Sequence, residues 1–327
     1  FPVYVHGMTK QIARSGVIPQ DVTETSVLFE VPAERRVNES RLELRFSPTL
    51  AGAMVDALPY LTSYPYGCTE QTLNRFLPTV ITHQILLKMG LDLAAIKAKR
   101  THLNAQELGE NTQRAAQWRR YDRNPVFDQQ TVDEMTRAGV QRLADMQLSD
   151  GGWGWFSGYG EKSYPHTTAY VVHGLQIAQK NRAKLPAGML ERGLQWLQNF
   201  QRAEIEGLNR WNQNKKDGKP HADNLDALVY MVLVDGDFDQ EHMRTYLYRD
   251  RNRLAVYATA MFGMALHEVE DTDKLTMILQ NIEQYLVDDD ENQTAHLNLP
   301  NSSYWWYWYG SEYEAHGYYL KLLSRTA

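Results

Sequence analysis

Gln147-Leu148-Ser149-Asp150-Gly151-Gly152-Trp153-Gly154-Trp155 lies between two segments whose apolar residues recur at helical spacing. Upstream stand Val132, Met135, Gly139, Leu143 and Met146; downstream come Met189, Gly193, Trp196 and Phe200. A helical pair closed by a glycine-rich turn can bury its apolar face only against its neighbours, so this arrangement suits a ring of repeated pairs. A looser echo lies at Asn301-Ser302-Ser303-Tyr304-Trp305-Trp306-Tyr307-Trp308-Tyr309-Gly310. Its consecutive aromatics are expected to pack where hairpin turns meet the core, polar tips outward.

The same period runs outward in both directions. It is carried by Leu73, Leu77, Val80, Gln84 and Leu87, then by Leu225, Leu228, Val229 and Val232. Leu254, Ala258, Met261 and Ala265 continue it, followed by Leu275, Ile278, Ile282 and Leu286. Capping signals stand at Asp223 with Asp226 and at Ser311 with Glu314. About a dozen helices of ordinary length are expected. Ser47-Pro48 marks where the pattern begins, Ser as N-cap and Pro at the first helical position, with Leu50, Met54, Ala57 and Leu58 behind. Residues 48–327 are therefore expected to form one helical body.

Residues 1–47 differ. Residues 22–31 show strand-like β-branched content and alternation, and Arg41-Leu42-Glu43-Leu44-Arg45-Phe46 alternates with clear period two. The polar residues 32–40 read as a turn between two strands. A lone hairpin is marginal in water, so these strands are expected to belong to a sheet completed elsewhere. Two polar stretches, residues 98–131 and 209–221, read as solvated helix ends and surface loops.

Composition narrows the function classes. The 327 residues are 43% hydrophobic and 23% charged, a globular balance, and the formal net charge of −6 offers no basic surface for nucleic acid. No apolar run reaches the length of a membrane span. The opening Phe1-Pro2-Val3-Tyr4 has neither an initiator Met nor a signal-peptide layout, so the chain reads as a piece of a longer one. The single cysteine excludes an intramolecular disulfide and any multi-cysteine zinc site. The histidines show no metal-ligand spacing. No metal or cofactor is expected.

That cysteine stands in Tyr64-Pro65-Tyr66-Gly67-Cys68-Thr69-Glu70-Gln71-Thr72-Leu73. Gly67 and Pro65 describe a tight approach into a helix start. Side chains at i and i+3 are helical neighbours, so Cys68 and Gln71 can face each other across one turn. Attack of the thiolate on the glutamine δ-carbonyl, with loss of ammonia, gives an internal thioester. Such a bond needs protection from water, for which Tyr64 and Tyr66 are the local candidates. Glu70 is a candidate acid or base, or a helix-end charge near the positive pole.

Two resemblances follow from these residues. The Gln147 to Trp155 stretch is similar to the Q-x-x-D-G-x-W turn of terpenoid-cyclase-like α/α toroids. Y-P-Y-G-C-x-E-Q resembles the thioester motif of the alpha-2-macroglobulin and complement family, its bacterial branch in particular. This second resemblance implies a mainly α fold, an α/α toroid over 48–327, and residues 1–47 as a β-segment of a CUB-like domain whose other strands follow the toroid. It also implies a protease-trapping inhibitor whose Cys68–Gln71 thioester acylates lysine amines of an attacking endopeptidase, once, with Tyr64 covering the bond. Target endopeptidases and the remaining domains of the parent chain are then the partners. The compartment is periplasmic, cell-envelope or secreted, and a lipid anchor on the parent fits the same resemblance. Complement members also use a downstream histidine to divert the acyl group to hydroxyls; the candidates here are His166 and His173, and neither sits where that family pattern places it. Transfer directly to amines is expected. The competing readings are an α/α-toroid enzyme, a cyclase or lyase, and a cysteine amidohydrolase with Cys68 as nucleophile.

Overall fold

In a computed structural model of the chain, the described residues are 28–40, 50–62, 67–99, 124–156, 160–289, 294–299 and 311–326, with isolated positions at 10, 12, 18, 22–24, 26, 42 and 158. Among them are eleven α-helices. They are α1 (Leu50–Thr62), α2 (Thr69–Lys88), α3 (Leu93–Lys99), α4 (Gln129–Met146), α5 (Pro165–Lys180) and α6 (Met189–Asn214). Then come α7 (Asn224–Val234), α8 (Glu241–Asp250), α9 (Val256–Glu268), α10 (Thr272–Glu283) and α11 (Glu312–Thr326). A two-stranded antiparallel sheet, β1 (Leu286–Asp289) and β2 (Thr294–Leu297), stands before α11.

The helices form the two layers of an α/α toroid. α2 packs on α4 and α5, α5 on α6 and α7, α7 on α6, α8 and α9, and α9 on α10 and α11. The inner helices α2, α5, α7, α9 and α11 thus follow one another, while α4, α6, α8 and α10 lie outside. Sequence explains which helix goes where. In α7 every residue from Asp226 to Val234 is buried, and in α9 every residue from Tyr257 to Leu266, because a helix apolar on all sides must be covered on all sides. α6 buries only one stripe, including Met189, Gly193, Leu197, Gln201, Ile205 and Leu208, and turns its other face to water. Asp223 and Asp226 form the expected capping box of α7. At α11 the Ser311 hydroxyl accepts from the Glu314 amide at 3.1 Å.

The Gln147 to Trp155 turn joins α4 to the inner layer. Trp153 is fully buried and its indole Nε1 donates at 2.8 Å to the carbonyl of Leu143, one of the last-turn α4 carbonyls that have no helical partner. Gln147 Nε2 donates to the carbonyls of Gly151 and Met189, the latter opening α6. Asp150 accepts from Gly152 N, from Ser163 Oγ at 2.7 Å and from Trp196 Nε1 at 3.0 Å. Burial opposes its charge, but these three donors hold its carboxyl below the ordinary value of 3.8. Gly151 has φ +94°, and a Cβ there would stand 2.7 Å from the Arg192 carbonyl oxygen, so a side chain is barred twice over.

Where α11 meets α5 and α7, charge is buried. Lys321 Nζ donates to His173 Nε2 at 2.7 Å, His173 Nδ1 lies 3.6 Å from Asp235 Oδ2, and Arg325 forks onto Asp235 at 3.2 to 3.4 Å. Burial first, and then the Lys321 charge, push His173 down to about 3, against the attraction of Asp235; Arg325 and Lys180 push the same way as Lys321. Burial likewise lowers Lys321, to about 8.

The structure corrects several sequence expectations. The helical spacing that includes Leu286 is a coincidence of register: α10 ends at Glu283 and Leu286 opens β1, paired with Leu297. That hairpin is tied to α11 by the Leu297 amide, which donates to His316 Nε2 at 2.9 Å. Among the described residues of α1, Val55, Leu58 and Pro59 are buried, whereas Met54 and Ala57 are exposed. Residues 209–214 are not loop but the end of α6. Lys219 is held by Glu204, Asp223 (2.8 Å) and Asp226 (2.7 Å), a tertiary ion cluster that an apolar period cannot reveal. Within the polar stretch 98–131, Asn124 and Val126 are buried; Asn124 donates to the Val55 carbonyl at 2.6 Å and caps the short 3-10 turn Pro125–Phe127.

The described residues of 22–31 lie in no strand, and Leu28 and Phe29 are exposed. Residues 33–35 make a turn, as expected. Of Arg41 to Phe46 only Leu42 is described, and the aromatic run at 304–309 and residues 100–123 lie outside the described residues.

Two outcomes are expected. Trp153→Ala removes a buried ring and its bond to α4, and should cost about 3 to 5 kcal/mol in urea unfolding. His173 titrates near 6.5 when unfolded and at about 3 when folded, so only the unfolded chain gains that proton on acidification and stability falls as pH drops from 6.5 towards 3. His173→Gln should flatten this fall in urea titrations at a series of pH values; an unchanged slope would assign it to other groups.

Candidate functional site

The glycine-rich turn does more than close a hairpin. Its last carbonyls reach the start of α2, where the Cys68 tetrad stands. The Thr69 amide donates at 3.0 Å to the Trp155 carbonyl, satisfying one of the amide groups that a helix start leaves open. The Thr69 hydroxyl, fully buried, donates to the Gly154 carbonyl at 2.7 Å and reaches that of Trp155 at 3.1 Å. The Trp155 amide in turn donates to Glu161 at 3.0 Å, and a Cβ at Gly154 would overlap that Glu161 side chain.

Cys68 is the N-cap of α2, with extended φ −68° and ψ 169°, and is a half-buried free thiol. Its carbonyl accepts the amide and the hydroxyl of Thr72, both at 2.9 Å, which closes the first turn. Gln71 lies in that turn, half-buried, and among the described residues no donor reaches its buried Oε1. Cys68 Sγ donates to Glu70 Oε2 at 3.9 Å. Asn74 Nδ2 donates to Glu70 Oε1, and the Tyr170 hydroxyl from α5 donates to Asn74 Oδ1 at 2.7 Å. Burial raises Glu70 above its ordinary 4.5, opposed by the bonds from Asn74 and Cys68.

The other candidates fall in different places. Tyr64 and Tyr66 lie outside the described residues. His166 sits in the first turn of α5, its ring stacked nearly parallel to that of Tyr170 at 6.5 Å and 6°. Burial pushes it down to about 4, so it is neutral at pH 7. His173 is two turns further along, in the ion cluster with Lys321 and Asp235, and is a buried structural group. Asp150, the acid of the turn, is consumed by three hydrogen bonds.

Sequence reasoning missed Asn74 and Tyr170. Asn74 follows Glu70 by four residues, so helical spacing could have found it. Tyr170 is 96 residues from Asn74 and only the packing of α5 on α2 brings them together.

The docking of Thr69 is open to a direct check. Thr69→Val keeps the shape but loses the hydroxyl, leaving the Gly154 carbonyl unpaired; it should cost about 1 to 3 kcal/mol in urea unfolding, with Thr69→Ser recovering most of the loss.

Comparison with known proteins bears on the same region. The family model described as A-macroglobulin TED domain matches residues 46–305, a span that includes the tetrad. An alpha-2-macroglobulin of Thermotoga maritima is 26% identical over 218 residues, 66% of this chain and 11% of that protein. Thioester-containing protein 1 of Anopheles gambiae (allele S3) is 24% identical over 200 residues, 60% of this chain and 12% of that protein. The chain thus spans about a tenth of the length of these curated relatives. Among solved structures, native alpha-2-macroglobulin from Escherichia coli superposes with a TM-score of 0.53 at 19% identity, covering 84% of this chain and 36% of that one. Salmonella alpha-2-macroglobulin reacted with methylamine gives 0.51 at 18% identity, covering 84% and 15%. At such identity these structures speak for the toroid fold alone. The family match covers most of the chain, and the chain belongs to the A-macroglobulin TED domain family.

Proposed function

We propose that this chain is the reactive domain of a protease-trapping alpha-2-macroglobulin. Its Cys68 and Gln71 side chains form an internal thioester, which acylates lysine amines of an attacking endopeptidase once, without turnover. The reading is carried by the tetrad Cys68-Thr69-Glu70-Gln71 opening α2 inside the matched span of the family. The names of the relatives and the reaction of the Salmonella protein with methylamine support it.

The chemistry is that of a stored acyl group. The Cys68 thiolate attacks the Gln71 carboxamide carbon and ammonia leaves, carrying away the nitrogen. Tyr64 and Tyr66 shield the bond from water, and the remaining domains of the parent chain keep it covered until a protease cuts elsewhere. A thiol capped in this way withstands an oxidising compartment, which suits a periplasmic, envelope or secreted protein. Amines are the preferred acceptors, since neither His166 nor His173 follows the pattern of the complement histidine.

Intact mass tests the reading. The native chain should be lighter than its sequence by one ammonia and carry no free thiol; methylamine should add once and expose Cys68, while glycerol reacts poorly. Cys68→Ala should abolish the adduct. Continued release of ammonia from a small amide would instead make Cys68 the nucleophile of an amidohydrolase, and glycerol ester formation that is lost in His166→Ala would restore a histidine-assisted route.

A further inference from the structure

A chain of hydrogen bonds leads from the reactive thiol to a neighbouring helix. Cys68 Sγ, Glu70, Asn74 and the Tyr170 hydroxyl follow one another across α2 and onto α5. We propose that Asn74 and Tyr170 are positioning residues that hold Glu70 as the proton carrier of acyl transfer at Cys68. The inference rests on the thioester reading above.

The donor and acceptor inventory sets the direction of the chain. A carboxylate only accepts, so Asn74 must present Nδ2 to Glu70 and Oδ1 to the other side. The Tyr170 hydroxyl donates to that Oδ1 and so holds the Asn74 amide in the orientation Glu70 requires. Tyr170 is raised to about 12, by burial first and then by the charge of Glu70, and stays protonated as this role demands. One carboxylate oxygen is then tied to Asn74 while the other points at sulfur. The titratable groups around the chain are Cys68 at the N-cap of α2, Tyr170 and the neutral His166 on α5, and Tyr318 and Glu314 on α11, the last raised above 4.5 by burial.

The proton balance follows. An amine nitrogen adds to the Gln71 acyl carbon, the carbon–sulfur bond breaks, and its electron pair stays on Cys68 Sγ. The proton shed by nitrogen passes to Glu70 and from Glu70 to sulfur, leaving an amide and a thiol. In formation the same carboxyl takes the thiol proton and gives it to the departing ammonia.

The test uses the thioester-bearing protein, with thiol release per unprotonated methylamine followed across a pH series in wild type, Glu70→Gln, Asn74→Leu and Tyr170→Phe. Glu70→Gln should slow release at least about 100-fold and erase the acid limb of the profile. Asn74→Leu should slow it about tenfold and move that limb to higher pH, because a bond that favours the carboxylate is gone. Tyr170→Phe, which removes one oxygen and keeps the ring, should move it the same way by less. A variant with native circular dichroism that never loses ammonia also supports the proposal, since formation uses the same carrier. Wild-type rates and an unmoved acid limb in both Asn74→Leu and Tyr170→Phe would overturn it while leaving the thioester intact. A wild-type chain with no ammonia loss and no methylamine adduct would overturn the thioester reading itself, and this inference with it.

Discussion

The carbonyls of Gly154 and Trp155 hold the first residue of α2, and the candidate site depends on that grip. They leave a turn that is itself anchored from three sides: Trp153 plugs the end of α4, Gln147 reaches the start of α6, and Asp150 collects donors from Ser163 and Trp196. Thr69 hangs from this frame by its amide and its hydroxyl. Cys68 stands one residue before it, so the place of the thiol is set by a hydrogen bond across 85 residues of chain.

The layering of the ring is an economy of surface. Helices apolar all round, α7 and α9, take the inner layer, and one-faced helices such as α6 and α10 take the outer one. Among the described residues, charge enters the interior in clusters. Where α11 meets α5 and α7, Arg325 pairs with Asp235 and Lys321 donates to His173, and Lys219 gathers three carboxylates beside the start of α7. Removing one member of such a set strands the others without water, which is costlier than the pair was worth.

Much of this was legible beforehand. Val132, Leu143, Met146, Met189, Leu228 and Ile278 were readable as core because their spacing matches the turn of a helix, and all are buried. The capping box at Asp223 was readable because it is local chemistry within four residues. What failed to show was non-local. The end of α6 carries polar residues and is held by Lys219, and the β1–β2 hairpin leans on His316; neither has a period to detect.

The sequence by itself determined the helical class, the helix starts at Asp223 and Ser311, and the spacing that sets a cysteine and a glutamine one turn apart, because each is a matter of neighbours along the chain. Only the tertiary structure decided that the tetrad docks on the Gly154–Trp155 turn and that Glu70 is braced through Asn74 by Tyr170. It also decided that His173 is spent in a buried ion cluster. These are contacts between inner helices and loops far apart in sequence, fixed by the ring's packing, which no local pattern encodes.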